Sequence, residues 1–187
     1  MRNLLHFLQQ LLLTLLLVVL AGLLLAGIYF GWQGHTLYQK AVEDHPIAAM
    51  YDSIRSRTDF VSYEAMPKTY VQAVIAVEDR RFASHHGIDP ISIGRALLID
   101  LKTHSLAEGG STLTQQLAKN ELFTQEKRLA RKAAEMFAAL AIEKTYSKQQ
   151  IFEMYANTIY FGNGCYGIAQ AAAGYFGKTP AALTDAE

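Results

Sequence analysis

The amino-acid sequence predicts a mainly α-helical domain that is preceded by one transmembrane helix. Three observations support this fold class. A run of twenty residues near the N-terminus carries no charge, apolar residues after residue 67 recur at helical spacing, and helix-capping pairs divide that region into segments of helical length. With 51% hydrophobic residues, the chain is too apolar to be disordered.

The uncharged run at residues 11–30, LLLTLLLVVLAGLLLAGIYF, would span about 30 Å of hydrocarbon as a helix. Tyr29 and Trp32 lie where aromatic side chains meet a membrane interface, and Arg2 is a weak signal for an inside N-terminus. We therefore expect a cytoplasmic N-terminus (1–10), a single-pass transmembrane helix (11–30) and the remaining chain on the outer face. The competing interpretation, a cleavable signal peptide, would have a shorter apolar region of about 7 to 15 residues.

Residues 31–66 are expected to form a stalk and an irregular lead-in, because Gly31, Gly34 and Pro46 interrupt any regular pattern. The main domain is expected to cover residues 67–187. Its first apolar run, residues 71–77 (VQAVIAV), leaves two structures open. The β-branched residues favour a strand, whereas Pro67 followed by a ten-residue run favours a helix.

Further helices are predicted from their capping signals. These are Asp89 before Pro90, Thr112 with Gln115, and Ser147 with Gln150. Gly162, Gly164 and Gly167 predict a turn, and Gly177 ends the last predicted helix. The predicted helices cover residues 90–101, 112–120, 131–146, 147–155 and 168–176, with a loop at 104–110.

A pair of acidic residues stands at the end of the first apolar run. Glu78 and Asp79 follow directly on VQAVIAV, so we expect at least one carboxylate at the edge of the core. Burial there would make that carboxylate a stronger base, which suits general base catalysis. The alternative is an exposed acidic pair at the end of a helix or strand.

A second charged pair lies on the helix predicted at 131–146. Arg131 and Glu135 are four residues apart and share one face of a helix that is apolar over most of its circumference. Charges on a buried helix must be compensated or face a cleft. The two interpretations are therefore an internal salt bridge and a functional site.

Basic side chains cluster around this pair, and a glycine-led helix start lies nearby. The cluster comprises Lys119, Lys127, Arg128, Arg131 and Lys132. The helix start at residues 109–112 (GGST) is expected to offer free backbone N–H groups and hydroxyls to an anion. Together they suit a phosphate-bearing ligand, although a solvated basic face is the simpler alternative.

Several functions are excluded by the sequence. The 17 basic and 17 acidic residues balance, which argues against a nucleic-acid partner. The segment GGSTLTQQLAK lacks the order of a Walker loop, and the sequence contains neither an HExxH metal pair nor a GxSxG elbow. The single cysteine, Cys165, cannot form an internal disulfide.

Five motifs, in order, resemble those of the peptidoglycan glycosyltransferases, glycosyltransferase family 51, over about residues 45–187. The first is Glu78-Asp79-Arg80-Arg81-Phe82 with His85 and Gly87, and the second is Gly110-Ser111-Thr112-Leu113-Thr114-Gln115-Gln116 with Lys119. The third is Arg131-Lys132-Ala133-Ala134-Glu135, the fourth runs from Lys148 to Asn157, and the fifth runs from Tyr166 to Lys178. Phe152 and Ala156 depart from the leucines usual in the fourth motif.

The resemblance implies a lysozyme-like helical domain with a small hydrophobic jaw that touches the bilayer, supplied by the region between the first two motifs. It implies polymerisation of lipid II into β-1,4-linked glycan by an inverting displacement of polyprenyl pyrophosphate. Glu78 matches the general base. Glu135 matches a second acidic position that orders the basic groups or holds a divalent ion such as Mg²⁺ or Mn²⁺, with no tightly bound cofactor.

The resemblance also implies a set of substrate-binding residues. These are Asp79, Phe82, His85, Gly87, Gly110, Ser111, Thr112, Gln115, Gln116, Lys119, Lys127, Arg128, Arg131, Lys132, Lys148 and Asn157. The expected partners are lipid II, glycan linked to polyprenyl pyrophosphate, the bacterial cell membrane and other cell-wall synthases.

The end of the chain raises two alternative functions. Thr184 and Glu187 have capping-box spacing, which predicts the start of another helix, so the domain is expected to lack its C-terminal end. One alternative is therefore a catalytically impaired membrane protein that binds the precursor or a synthase. The other is a lysozyme-like hydrolase that uses Glu78 as an acid.

Overall fold

The structure is a computed structural model that describes residues 2–103, 109–123 and 129–187. The described residues contain eight α-helices, two 3-10 helices and no β-strand, so the predicted mainly α-helical fold is confirmed. The α-helices are α1 Arg2–Asp44, α2 Ile47–Arg55, α3 Lys68–Glu78, α4 Pro90–Thr103, α5 Leu113–Leu122, α6 Leu129–Thr145, α7 Lys148–Thr158 and α8 Ile168–Phe176. The 3-10 helices are Tyr63–Ala65 and Pro180–Ala182.

The first helix is much longer than the predicted membrane segment that it contains. At 43 residues it extends for about 65 Å. Its apolar side chains from Phe7 to Trp32 are largely exposed, and the portion His6–Asp44 is apolar and long enough to cross a membrane. An exposed apolar surface of this length fits a transmembrane anchor.

The expectation of a stalk and an irregular lead-in at residues 31–66 is wrong for the residues up to Arg55, which are mostly helical. Helix α1 continues through Gly31 and Gly34 to Asp44, and α2 follows after a short break at Pro46. Packing explains the difference, because Gly34 is buried against α6 and α2 places Ile54 in the core. These tertiary contacts outweigh the low helix propensity of glycine.

The ambiguous apolar run after Pro67 is helical and forms α3. The next helix, α4, is capped as predicted: Asp89 accepts hydrogen bonds from the Ile91 backbone N–H (3.0 Å) and the Ser92 hydroxyl (2.8 Å). Burial alone would raise the pKa of Asp89, but those bonds and the Arg81 guanidinium lower it below its ordinary value. Helix α4 leaves a set of apolar side chains exposed, namely Ile91, Leu97, Leu98 and Ile99.

The core lies around α7, which packs against α5, α2 and α8. Both predicted capping boxes are present, Thr112 with Gln115 on α5 and Ser147 with Gln150 on α7. Phe152, one of the departures from the fourth motif, is fully buried, and its ring contacts several other aromatic rings in the core. The substitution therefore fills the core with an aromatic side chain.

The segment after α8 contains a short 3-10 helix and a turn. Gly177 adopts a left-handed conformation and ends α8, as the sequence predicts. The Thr184 backbone N–H donates to Glu187 Oε2 at 2.9 Å, which is one half of the expected capping box. No α-helix is present in the described residues after Gly177.

Candidate active site

A cleft of about 560 Å³ lies between α4, α5 and α6, beside the C-terminal end of α3. It unites residues from the first three motifs. Those that line it are Glu78, Gly110, Ser111, Gln115, Gln116, Lys119, Arg131, Lys132 and Glu135. The acidic residue of the first motif and the basic residues of the next two therefore open onto the same space.

Glu78 is the last residue of α3, and its side chain is exposed to the cleft. The Gln116 side-chain amide donates to Glu78 Oε2 at 3.0 Å. Tyr155 lies behind this pair and donates its hydroxyl to Gln116 Oε1 at 3.4 Å. Burial, and secondarily the negative charge of Glu78, raises the pKa of Tyr155. Its hydroxyl therefore keeps its proton at neutral pH and can donate a hydrogen bond.

The expectation that at least one carboxylate of the pair lies at the core edge is confirmed for Asp79, which is buried, whereas Glu78 is exposed. The backbone leaves the helical conformation at Asp79, which ends α3 and turns the two carboxylates in different directions. Asp79 Oδ2 lies 2.8 Å from His85 Nε2 and accepts from the Leu113 backbone N–H at 3.0 Å. The carboxylate of Glu78 thus lies in the cleft. The carboxylate of Asp79 instead belongs to the residues that hold the surrounding helices together, which we call the scaffold.

Several predicted substrate-binding residues belong to this scaffold and do not line the cleft. His85 Nδ1 accepts from the Gly87 backbone N–H at 3.2 Å, so Nε2 carries the proton that His85 shares with Asp79. A Cβ at Gly87, where φ is +93°, would lie 2.8 Å from the backbone of Ala139. The residues in this group are Asp79, Phe82, His85, Gly87, Thr112, Lys148 and Asn157.

Lys148 and Asn157 join the scaffold to its surroundings. Lys148 Nζ lies 2.7 Å from Glu143 Oε1 and 4.5 Å from the centre of the Phe82 ring. Asn157 accepts from the Val61 backbone N–H at 2.8 Å and donates to the Val61 carbonyl at 2.9 Å. Neither residue lines the cleft, and a role of Lys148 and Asn157 in binding substrate stays a prediction.

The expectation that the start of α5 offers free backbone donors is wrong for the residues around Thr112. The Thr112 backbone N–H donates to Gln115 Oε1, and the Leu113 N–H donates to Asp79. The Thr112 hydroxyl donates to the Gly87 carbonyl at 2.7 Å. The capping box therefore satisfies the Thr112 backbone N–H that the sequence had suggested for an anion, and Ser111 is the hydroxyl that lines the cleft.

Glu135 lies between two basic side chains, Arg131 and Lys132, that form the cationic side of the cleft. Its carboxylate is 1% exposed, with Oε1 3.0 Å from Arg131 Nε and Oε2 3.0 Å from Lys132 Nζ. Lys132 also donates to the Ser111 hydroxyl. The interpretation as an internal salt bridge is therefore confirmed, and the pair also lines the cleft, whereas its functional role stays a prediction.

A divalent ion near Glu135 stays a prediction. Each oxygen of Glu135 already has a cationic neighbour, and no cluster of three acidic, histidine or cysteine side chains occurs in the described part of the chain. These residues do not fit a metal site built by the protein alone. Lys127 and Arg128, the remaining predicted basic residues, lie outside the described residues.

Sequence reasoning missed the wall of the cleft that α4 forms. Ile93, Ala96, Leu97 and Asp100 line it, together with Met136 of α6. Positions 93, 96, 97 and 100 are spaced to share one face of a helix, so periodicity was the available signal. A carboxylate at the end of that otherwise apolar face would have distinguished Asp100.

An exposed apolar helix that fits a membrane anchor therefore precedes a helical domain whose cleft combines a carboxylate with cationic side chains. The family model for transglycosylases matches residues 43–187. The chain belongs to this transglycosylase family, glycosyltransferase family 51, which supplies the transglycosylase domain of class A penicillin-binding proteins. The resemblance inferred from the five motifs is therefore confirmed.

Curated relatives agree with this assignment. The chain is 46% identical to penicillin-binding protein 1F of Bacillus subtilis over 141 residues, which cover 75% of the chain and 19% of that protein. It is 49% identical to penicillin-binding protein 1A of Vibrio cholerae over 121 residues, covering 65% of the chain and 15% of that protein. It is 45% identical to penicillin-binding protein 1A of Escherichia coli over 124 residues, which cover 66% of the chain and 15% of that protein. The matched region thus spans less than a fifth of each of these relatives.

Proposed function

We propose that this chain polymerises lipid II, a disaccharide carried on polyprenyl pyrophosphate, into β-1,4-linked glycan. The observation that carries the proposal is that Glu78 and the cations Lys119, Arg131 and Lys132 line one cleft. A base and an anion site in the same cleft suit a reaction in which one group loses a proton while a diphosphate departs.

In the proposed reaction, the acceptor 4-hydroxyl attacks the anomeric carbon of the donor glycan. A new C–O bond forms, the bond from that carbon to the pyrophosphate oxygen breaks, and the hydroxyl proton passes to Glu78. The displacement converts an α-linkage to a β-linkage in one inverting step, without a protein nucleophile. Polyprenyl pyrophosphate leaves with the bonding electron pair.

The cationic side of the cleft is proposed to hold the departing pyrophosphate. Lys119, Arg131 and Lys132 would offset its developing charge, and the Ser111 hydroxyl would add a hydrogen-bond donor. Glu135 would hold Arg131 and Lys132 in place, since its carboxylate lies 3.0 Å from a nitrogen of each. Such preorganisation avoids a rearrangement of charge at the moment of reaction.

Membrane attachment follows from the chemistry of the proposed substrate. Donor and acceptor are both lipid-linked, so a tether confines the enzyme to the surface on which they diffuse. We place the N-terminus inside and the cleft on the outer face, with the exposed apolar side chains of α4 in contact with the bilayer. Leu97 and Leu98 are each about three-fifths exposed, which suits a lipid-facing jaw.

The proposal is tested by incubating the purified full chain in bilayers with lipid II and separating the products by length. We expect polymer whose linkage is β-1,4, with release of polyprenyl pyrophosphate. Binding of lipid II without polymer would instead favour the catalytically impaired precursor-binding protein. Soluble fragments from finished cell wall would favour a hydrolase.

A further inference from the structure

The membrane helix touches the same turn of α6 that carries the cationic side of the cleft. Gly34 of α1 is buried at this contact. A Cβ added there would lie 2.8 Å from the Ala130 carbonyl oxygen, 2.9 Å from the Ala134 backbone nitrogen, and closer still to Ala133 Cβ. Separations this short cannot be accommodated without moving one helix, because two of the three atoms belong to the backbone of α6.

Among the glycines of α1, Gly34 alone lies this close to α6. An added Cβ at Gly22, Gly27 or Gly31 would meet no atom within 4 Å in the structure. On α1, His35 follows Gly34 directly and Tyr38 lies about one turn further along; their rings lie 5.2 Å and 6.2 Å from the Phe137 ring. Gly34 therefore marks a close approach of the two helices, and the aromatic rings continue the contact.

The opposite side of the same turn of α6 forms part of the cleft. Ala130, Ala133 and Ala134 face α1, whereas Arg131, Lys132 and Glu135 line the cleft. These six residues lie within two turns of α6. Any displacement of the helix at the alanines therefore also displaces the charged side chains on its other side. Helix α1 is continuous from its apolar span to Asp44. The depth at which the apolar span lies in the bilayer therefore determines the height of this contact above the membrane.

We propose that Gly34 is a positioning residue that sets the level of the cationic cluster relative to the bilayer. Trp32, 68% exposed, precedes it by two residues, or about 3 Å along the helix, so the contact lies next to the expected interface. The inference rests on the proposed function, since the level of the cluster matters most when the pyrophosphate is attached to a lipid. A side chain at position 34 would hold α6 away from the anchor and misplace the cluster.

The experiment compares Gly34→Val with Gly31→Val, a matched change on the same helix where the structure leaves open space. Polymerisation is measured with full-length lipid II in bilayers and with a short-chain, water-soluble analogue. For Gly34→Val we expect a loss of about tenfold to a hundredfold with the bilayer substrate and less than about threefold with the soluble one, because small misplacements are costly in catalysis. Gly31→Val should behave as the native chain with both.

A second measurement does not depend on activity. A fluorophore is attached in a Cys165→Ala, Lys144→Cys chain, and its depth relative to the bilayer is measured by quenchers at known positions in the lipid. Lys144 is an exposed residue in the last turn of α6. We expect Gly34→Val to change this depth and Gly31→Val to leave it unchanged, because a side chain at position 34 meets the backbone of α6 and one at position 31 meets no atom within 4 Å.

The outcomes separate the two proposals. Equal losses with both substrates, or an unchanged fluorophore depth in Gly34→Val, would overturn the positioning role. If the native chain polymerises neither substrate while the depth still shifts in Gly34→Val, the proposed function fails and the coupling of anchor to α6 stands. Should Gly34→Val fail to fold, the comparison of Gly34→Ala with Gly31→Ala carries the same test.

Discussion

The Gln116 side-chain amide donates a hydrogen bond of 3.0 Å to Glu78 Oε2, the carboxylate proposed as the general base. The other end of that amide, Oε1, accepts from the hydroxyl of Tyr155. An amide has one donor end and one acceptor end, so the hydroxyl proton of Tyr155 determines which end faces Glu78. A residue of the core thereby orients a residue of the cleft.

This relay predicts that Tyr155→Phe slows polymerisation although Tyr155 does not line the cleft. Without the hydroxyl, the Gln116 amide can turn its oxygen toward Glu78, which would repel the carboxylate. We expect a fall in kcat of up to about tenfold with little change in KM, the equivalent of one modest hydrogen bond. Gln116→Ala should cost at least as much, and an unchanged kcat in Tyr155→Phe would remove the relay from the account.

Lys119→Ala should weaken the anion site without leaving a buried charge unpaired. A charged hydrogen bond to pyrophosphate contributes about 1.5–3 kcal/mol, so we expect kcat/KM for lipid II to fall about tenfold to a hundredfold. Lys144→Ala on the exposed end of α6 serves as the control for the loss of one positive charge. Equal effects of the two substitutions on kcat/KM would show that only overall charge matters.

Asp79→Ala should destabilise the fold more than it affects the chemistry directly. Its carboxylate accepts from the Leu113 backbone N–H and pairs with His85, so removal leaves two buried groups without their partner. We expect the free energy of unfolding in detergent to fall by about 2–4 kcal/mol. Asp52→Ala, an exposed change on α2, should alter it by less than about 0.5 kcal/mol, and a similar small effect for Asp79→Ala would contradict its scaffold role.

Glu121 predicts a pH dependence of stability. Burial raises the pKa of this carboxyl above its ordinary value of 4.5, and the nearby Arg57 and His45 oppose the shift only in part. The folded state therefore binds the proton more tightly than the unfolded state. The contribution of Glu121 to stability is greatest below pH 4.5 and declines as the pH rises through the folded-state pKa.

Substituting Glu121→Gln should remove that decline. Denaturant unfolding from pH 4 to pH 8 should show the variant gaining stability relative to the native chain as the pH rises. If the difference between the two chains were the same at every pH, or had the opposite slope, the carboxyl at position 121 would not be the group responsible.

Much of the domain was predictable because its signals are local. A capping box is encoded by two residues three positions apart, and both predicted boxes are present on α5 and α7. The composition of the apolar run of α1 is likewise sufficient to predict a membrane helix. The helical course of residues 31–44 was not predictable, because it depends on the packing of Gly34 against α6, which no local pattern specifies.

The candidate site was predictable in its membership but less so in its geometry. Motif order brought Glu78, Lys119 and Arg131 together, and the structure places them in one cleft. Which of Glu78 and Asp79 is buried depends on where α3 ends, and a change of one residue at a helix end reverses the answer. Periodicity groups Asp100 with the other cleft-lining residues of α4. It does not specify that this face of α4 opens onto the same cleft as α5 and α6.

The central claim is that Glu78 removes the proton of the attacking hydroxyl, and Glu78→Gln tests it most directly. The amide keeps the size of the side chain but cannot accept that proton at neutral pH. With lipid II in bilayers, we predict that the polymerisation rate falls by at least about a hundredfold while the unfolding temperature and the affinity for lipid II stay close to native. Glu43→Gln, an exposed change on α1, should keep the native rate. A Glu78→Gln chain that polymerises within about twofold of the native rate would contradict the claim.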